Sequence, residues 1–252
     1  MNTPEANPLL PRRNFLKTIG LGATAAVLSP KFLRAEAASA TSPAAPKARS
    51  DYQIAFLEKW FFDGSDGKPH RYTPAQMAQT CDEMGLDLEL TVRKNGHMTP
   101  EQVPDELPLM VEAMAAKNRK VLFIAMDTVR VDEPYWEAAA RTAQKLGIKQ
   151  YRHRGFKYEG SRPLKVQIAD FNHMAKDFAA ANKEIGIQAL YQTHAGASMA
   201  GSAGWDLDLI LDGVDPHDFG VAWDTRHMGV ELGMSWSNSI KLLAPRIAVL
   251  CV

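Results

Sequence analysis

Three clusters of polar side chains have types and spacings suited to chemistry on a small, oxygen-rich molecule. In Trp223-Asp224-Thr225-Arg226-His227 a carboxylate and an imidazole stand three residues apart. Such a pair can converge on one divalent ion or on a sugar hydroxyl. The same residues also fit a plain turn, with Asp224 as its cap and His227 in solvent. In Tyr191-Gln192-Thr193-His194-Ala195-Gly196, residues 192 and 194 of an extended chain share one face. Gln192 offers a donor and an acceptor at once, and His194 can ligate a metal or carry a proton. The other reading is a hydrogen-bonded pair that closes a strand end. In Arg93-Lys94-Asn95-Gly96-His97-Met98 the Asn-Gly turn presents His97 as a substrate contact or leaves it solvated. Arg152, within Tyr151-Arg152-His153-Arg154, would suit an anionic or polyhydroxylated substrate if its guanidinium points inward. The Gly-rich run 196–204 lacks the Lys-Ser/Thr ending of a phosphate loop and reads as a mobile lid or loop. Met110, Met114, Phe123 and Phe178 fall at core positions, and Cys81 reads as a buried apolar residue.

The elements that must position these groups alternate between strand and helix. Strands are expected at Tyr52–Phe56, Leu86–Val92, Lys120–Met126, Ile148–Arg152, Ile187–Gln192, Gly220–Trp223 and Arg246–Val252. The first helix opens with Thr73 as N-cap and Pro74 at its first position, and ends near Gly85. Further helices are expected at Pro108–Lys117, Glu133–Leu146, Leu164–Glu184, Leu207–Leu211 and 233–243, with Gly147 and Gly186 as stops. This alternation implies right-handed βαβ units and a parallel sheet, either open and doubly wound or closed as a barrel. No Gly-x-Gly-x-x-Gly follows the first strand, which removes the main support for a dinucleotide-binding sheet. Polar residues sit at strand C-terminal ends: Glu58-Lys59, Arg93, Asp127, Arg152, Gln192 to His194, and Asp224. A barrel places its active site there. The expected fold is therefore α/β, a (β/α)8 TIM-barrel type, incomplete, with seven strands and the chain ending in the seventh.

Composition sets the outer limits. The 252 residues are 46% hydrophobic and 23% charged, ordinary for a soluble globular protein. Two cysteines exclude a disulfide framework and multi-cysteine metal sites. Pro11-Arg12-Arg13-Asn14-Phe15-Leu16-Lys17, a short run rich in Gly and Ala, and small-x-small sites near Ala37 resemble a twin-arginine export signal. The expected organisation is a signal peptide at 1–37, a flexible linker at 38–50 and one domain at 51–252, with a periplasmic or secreted location. The apolar run of the signal is too short to be a stable membrane anchor. Beyond Ala37 the chain carries 24 basic and 27 acidic side chains, a net charge of −3, which speaks against nucleic acid as a partner.

Segments 88–100, 191–196 and 223–227 together resemble the sugar phosphate isomerase/epimerase family, the xylose isomerase-like TIM barrels. The resemblance runs from about Tyr52 to the C-terminus. It implies a small-molecule sugar substrate, an enediol route, and a divalent metal (Mn, Co, Mg or Zn) held at the mouth by Glu, Asp, His and Glu from the last four strands. Asp224 matches the sixth-strand Asp and His227 the His after it. The fifth-strand Glu position holds Gln192, whose amide cannot act as a base, and His194 would replace it as ligand. The seventh-strand His and eighth-strand Glu have no counterpart. The chain is then a fragment, a truncated product, or a mouth finished by another chain in a homo-oligomer.

On this reading Asp224, His194 and His227 bind metal, Gln192 and His194 serve catalysis, and His97, Arg152 and Gln192 hold the substrate. Two rivals stand beside it. One is a non-catalytic sugar-binding barrel, favoured by Gln192. The other is an apurinic endonuclease-like nuclease, disfavoured by the net charge and the export signal.

Overall fold

The computed structural model describes residues 52–63 and 70–252. The expected signal peptide and linker lie outside these residues. Strand β1 (Ala55–Leu57) leads through a 3-10 turn at Glu58–Trp60 into an antiparallel ribbon of β2 (Phe62–Asp63) and β3 (His70–Arg71). Next come α1 (Pro74–Met84), β4 (Asp87–Val92), α2 (Val103–Ala116), β5 (Val121–Met126), α3 (Trp136–Lys145) and β6 (Gln150–His153). The chain continues with α4 (Leu164–Ile185), β7 (Gln188–Gln192), α5 (Trp205–Ile210) and β8 (Phe219–Asp224). It closes with α6 (Thr225–Leu232), α7 (Trp236–Leu243) and β9 (Ile247–Cys251).

Seven strands form one sheet in the order β1-β4-β5-β6-β7-β8-β9, and every pairing is parallel. A doubly wound sheet must reverse its strand order at a switch point. This order never reverses, so the choice left open by the alternation is decided for the barrel type. Among the described residues β1 and β9 each have one strand neighbour, and the sheet is a seven-stranded, incomplete barrel. No helix of the described residues is long and apolar enough to cross a membrane.

Strand alternation sorts side chains into two environments. Leu88, Leu90, Val92, Ile124, Tyr151, Tyr191, Val221 and Trp223 join the helix-side core, in which Trp136, Phe178 and Phe219 are also buried. Trp136 meets Phe178 edge-on at 5.5 Å, and Phe178 meets Phe219 at 6.1 Å. The Tyr151 hydroxyl donates to Asn182 Oδ1 at 3.0 Å, and Asn182 Nδ2 donates to the Asp218 carbonyl, so these two buried side chains are paired. Met110 and Met114 lie in the same core as expected. Phe123 does not: it is buried on the inner face, against the cavity, because it shares strand parity with Ala125 rather than Ile124.

Local signals explain most boundaries. Thr73 Oγ1 accepts from Gln76 N–H while Gln76 Oε1 accepts from Thr73 N–H, a reciprocal cap worth about 1 kcal/mol. Gly85 ends α1 at φ 70°, a conformation glycine takes without steric cost. Helix α2 starts at Val103, five residues before the expected Pro108, which sits inside the helix. The Thr99/Gln102 capping box and Pro104 in the first turn start it early. Helix α6 lay within an expected loop, and the segment 233–243 divides into a 3-10 turn and α7.

Candidate functional site

The inner face of the sheet bounds a cavity of about 2000 Å³ that runs from Lys120 and Gln188 at one end to Arg93, Arg154 and His227 at the other. Its C-terminal end carries the site. Even-numbered residues of β6, β7 and β8 point inward, as do odd-numbered residues of β4, so Glu89, Arg152, Gln192 and Asp224 converge from four strands. Arg152 Nε lies 2.6 Å from Glu89 Oε1, with side chains 12% and 10% exposed. The N–H does not point along that contact, which is a close ion pair and not a directed hydrogen bond. Arg152 Nη1 donates to Gln192 Oε1, and Gln192 Nε2 donates to Asp224 Oδ2 at 2.9 Å. The Asp224 Oδ1 atom accepts from the His227 backbone N–H at 2.9 Å, and Asp224 N–H donates to Thr193 Oγ1. The carboxylate is thus both the N-cap of α6 and a group at the mouth. The capping half of the plain-turn reading is therefore seen, but His227 lies within α6 and is partly buried, not in solvent.

Imidazoles complete the rim. His227 Nε2 stands 3.8 Å from Asp224 Oδ2, and the His194 ring lies against His227 at 3.9 Å between centroids, tilted by 32°. Burial lowers the His227 pKa, with Asp224 opposing the shift and His194 adding to it, which favours the neutral ring. His194 is exposed, with Nδ1 2.7 Å from the Ala195 carbonyl. The structure therefore brings Arg152, Gln192, His194, Asp224 and His227 together at one mouth. It does not bring His97 there. That ring is buried and does not line the cavity. His97 N–H bonds to Thr91 Oγ1 at 2.8 Å, and its carbonyl accepts from Arg71. Burial, reinforced by the Arg71 charge, pushes its pKa down to about 4. The Asn-Gly turn folds His97 inward and not over the mouth.

Two further carboxylates belong to this end of the sheet: Glu89, which the sequence did not single out, and Glu58, noted there only among the polar strand ends. Glu89 lies between Leu88 and Leu90, and the polar parity of Asp87, Glu89 and Thr91 was its signal. Glu58, just beyond β1, accepts from the Thr91 hydroxyl and backbone N–H through Oε1, while Oε2 is buried without a partner. Burial raises the pKa of both. Arg152 pulls Glu89 back only in part. Cys251 on β9 faces the same space. Burial raises its thiol to about 11, with the Glu89 charge adding to the rise.

The resemblance implies a divalent metal here, and the donor set does not fit one. Among the described residues no three His, Cys, Asp or Glu side chains form a group able to hold an ion. The expected ligands Asp224, His194 and His227 are neighbours, yet both Asp224 oxygens already accept from N–H groups. The His194 Nδ1 atom is already 2.7 Å from the Ala195 carbonyl, which leaves that ring only Nε2 for a ligand.

These observations define the class: a parallel barrel-type domain with a polar, cation-bearing mouth at the C-terminal ends of its strands. Residues 133–250 match the family described as Xylose isomerase-like TIM barrel. A putative xylose isomerase from Rhodospirillum rubrum is similar in structure, at 13% identity and TM-score 0.62, over 79% of this chain and 75% of that one. So is the probable 3-DHS dehydratase of Bacillus anthracis, involved in petrobactin synthesis, at 12% and 0.59 over 79% and 72%. A third is 3-keto-D-glucoside 4-epimerase from E. coli, at 9% and 0.60 over 79% and 77%. At these identities the likeness establishes the fold alone. No curated protein matches the chain.

Proposed function

We propose that the mouth binds a small polyol and moves a proton between its adjacent carbons, as a sugar isomerase or epimerase does through an enediol. The observation that carries this reading is the continuous array Glu89–Arg152–Gln192–Asp224–His227, gathered from four strands and the first turn of α6. The Arg152 guanidinium lines the cavity and would bind the carbonyl oxygen of the sugar, stabilising the oxyanion that develops there. His227, whose neutral form burial favours, would accept the proton, and Asp224 beside it would stabilise the imidazolium that forms. Gln192 orients both partners, and His194 would contact hydroxyls at the rim. Two similar structures, a putative xylose isomerase and a sugar epimerase, support the substrate class. The dehydratase neighbour shows that the fold does not dictate the reaction.

The test is incubation of the chain with a panel of ketoses, aldoses and keto-sugars in D2O, read by proton NMR. Deuterium entering the carbon next to the carbonyl, and lost in His227→Gln, supports the reading. Saturable binding with no exchange across the panel supports the second reading, a sugar-binding barrel. That reading is favoured by an amide standing at the fifth-strand position, where a carboxylate would be a base. The export signal is part of the same proposal. A reporter fused behind residues 1–50 should leave the cytoplasm only while Arg12 and Arg13 are intact.

A further inference from the structure

We infer that the cation organising this mouth is the Arg152 guanidinium, standing where the family resemblance puts a divalent metal, and that Gln192 is the residue that keeps a metal out. The inference concerns cation binding and stands whether or not the mouth turns over a sugar.

Side chain 192 lies between a positive and a negative group. On one side Arg152 Nη1 donates to its Oε1, and on the other its Nε2 donates to Asp224 Oδ2 at 2.9 Å. An amide satisfies both neighbours without adding charge, since its oxygen accepts and its nitrogen donates. The opposite amide orientation would set N–H against N–H and oxygen against oxygen, so the guanidinium pins this one. The two carboxylates of the array also have partners within this chain. Asp224 Oδ1 accepts from the His227 N–H, and Glu89 is held against Arg152 Nε at 2.6 Å. Asp224 is thus compensated by N–H groups of this chain, and Glu89 by the charge of the adjacent guanidinium. The guanidinium supplies the positive charge.

A carboxylate at position 192 would behave differently. One oxygen would pair with Arg152, but the other would face Asp224 at hydrogen-bond distance. Two anions that close require a proton or a cation between them. Gln192→Glu should therefore create a metal site. Arg152→Met should do so by another route, because removing the guanidinium frees Glu89 and lets the amide turn its oxygen toward the opening.

The experiment is Mn2+ titration of the full chain, followed by the EPR signal of free Mn2+, with circular dichroism to verify folding. The wild-type chain is expected to leave Mn2+ free at concentrations up to about 1 mM. At least one of the two variants, folded, should bind one Mn2+ at least about tenfold more tightly, and Asp224→Asn should abolish the gain. Stoichiometric Mn2+ uptake by the wild type below about 100 µM, lost in Asp224→Asn, overturns the inference. Folded variants that bind Mn2+ no better than the wild type overturn it as well.

Discussion

Replacing either partner of the Glu89–Arg152 pair gives unequal losses, and the inequality follows from proton chemistry. At 2.6 Å and an effective dielectric near 20, their attraction is roughly 6 kcal/mol. Desolvating the two ions costs several kcal/mol each, so the intact pair adds little net stability while a broken one is costly. In Glu89→Met the guanidinium keeps its proton and loses its anion, with Gln192 Oε1 as its remaining partner in the network. We expect a loss of about 3–5 kcal/mol. In Arg152→Met the remaining carboxyl, whose pKa burial already raises, loses the guanidinium that opposed the rise and can shed its charge by taking up a proton, a route closed to a guanidinium. The expected loss at pH 7 is then about 1–3 kcal/mol. The double Met variant should lie within about 2 kcal/mol of the wild type, because no lone charge remains buried. Urea unfolding at pH 7 followed by tryptophan fluorescence and extrapolated linearly measures all four corners of the cycle. The reasoning fails if Glu89→Met is within about 1 kcal/mol of the wild type, if Arg152→Met is the costlier variant, or if the single losses simply add.

Other expectations follow from the same structure. Phe178→Ala removes a ring fully buried between Trp136 and Phe219 and should cost about 3–5 kcal/mol in the same assay. Gly204→Ala combines a positive φ of 75° with a Cβ 1.8 Å from Ser239 Oγ, so it should destabilise by more than about 2 kcal/mol, whereas Gly229→Ala meets no atom within 4 Å and should not. His97, with its pKa lowered to about 4, binds its proton more readily when unfolded, near 6.5. Its contribution is complete above pH 6.5 and is lost as pH falls toward 4, amounting to about 3 kcal/mol. His153, lowered to about 3, acts in the same direction. The urea midpoint of His97→Asn should therefore fall less steeply between pH 6.5 and 4 than that of the wild type, and equal slopes would refute the assignment.

Periodicity and capping chemistry determined the elements, because those forces act within a few residues. The alternation Leu88, Leu90, Val92 marked β4, and Thr73-Pro74 with Gln76 marked the start of α1, from sequence alone. The polar strand ends identified the mouth, since parallel strands joined by helices must carry their C-terminal residues to one side. Position along the chain could not say which of those residues would meet. Glu89 and Arg152 are 63 positions apart and become an ion pair only because β4, β5 and β6 lie side by side. His97 looked equally available in its turn, and packing buried it beside Arg71. The role of Gln192 is the sharpest case. Its amide reads as a missing carboxylate until the fold sets a guanidinium on one side of it and Asp224 on the other, where a neutral group that both donates and accepts satisfies the two charges at once.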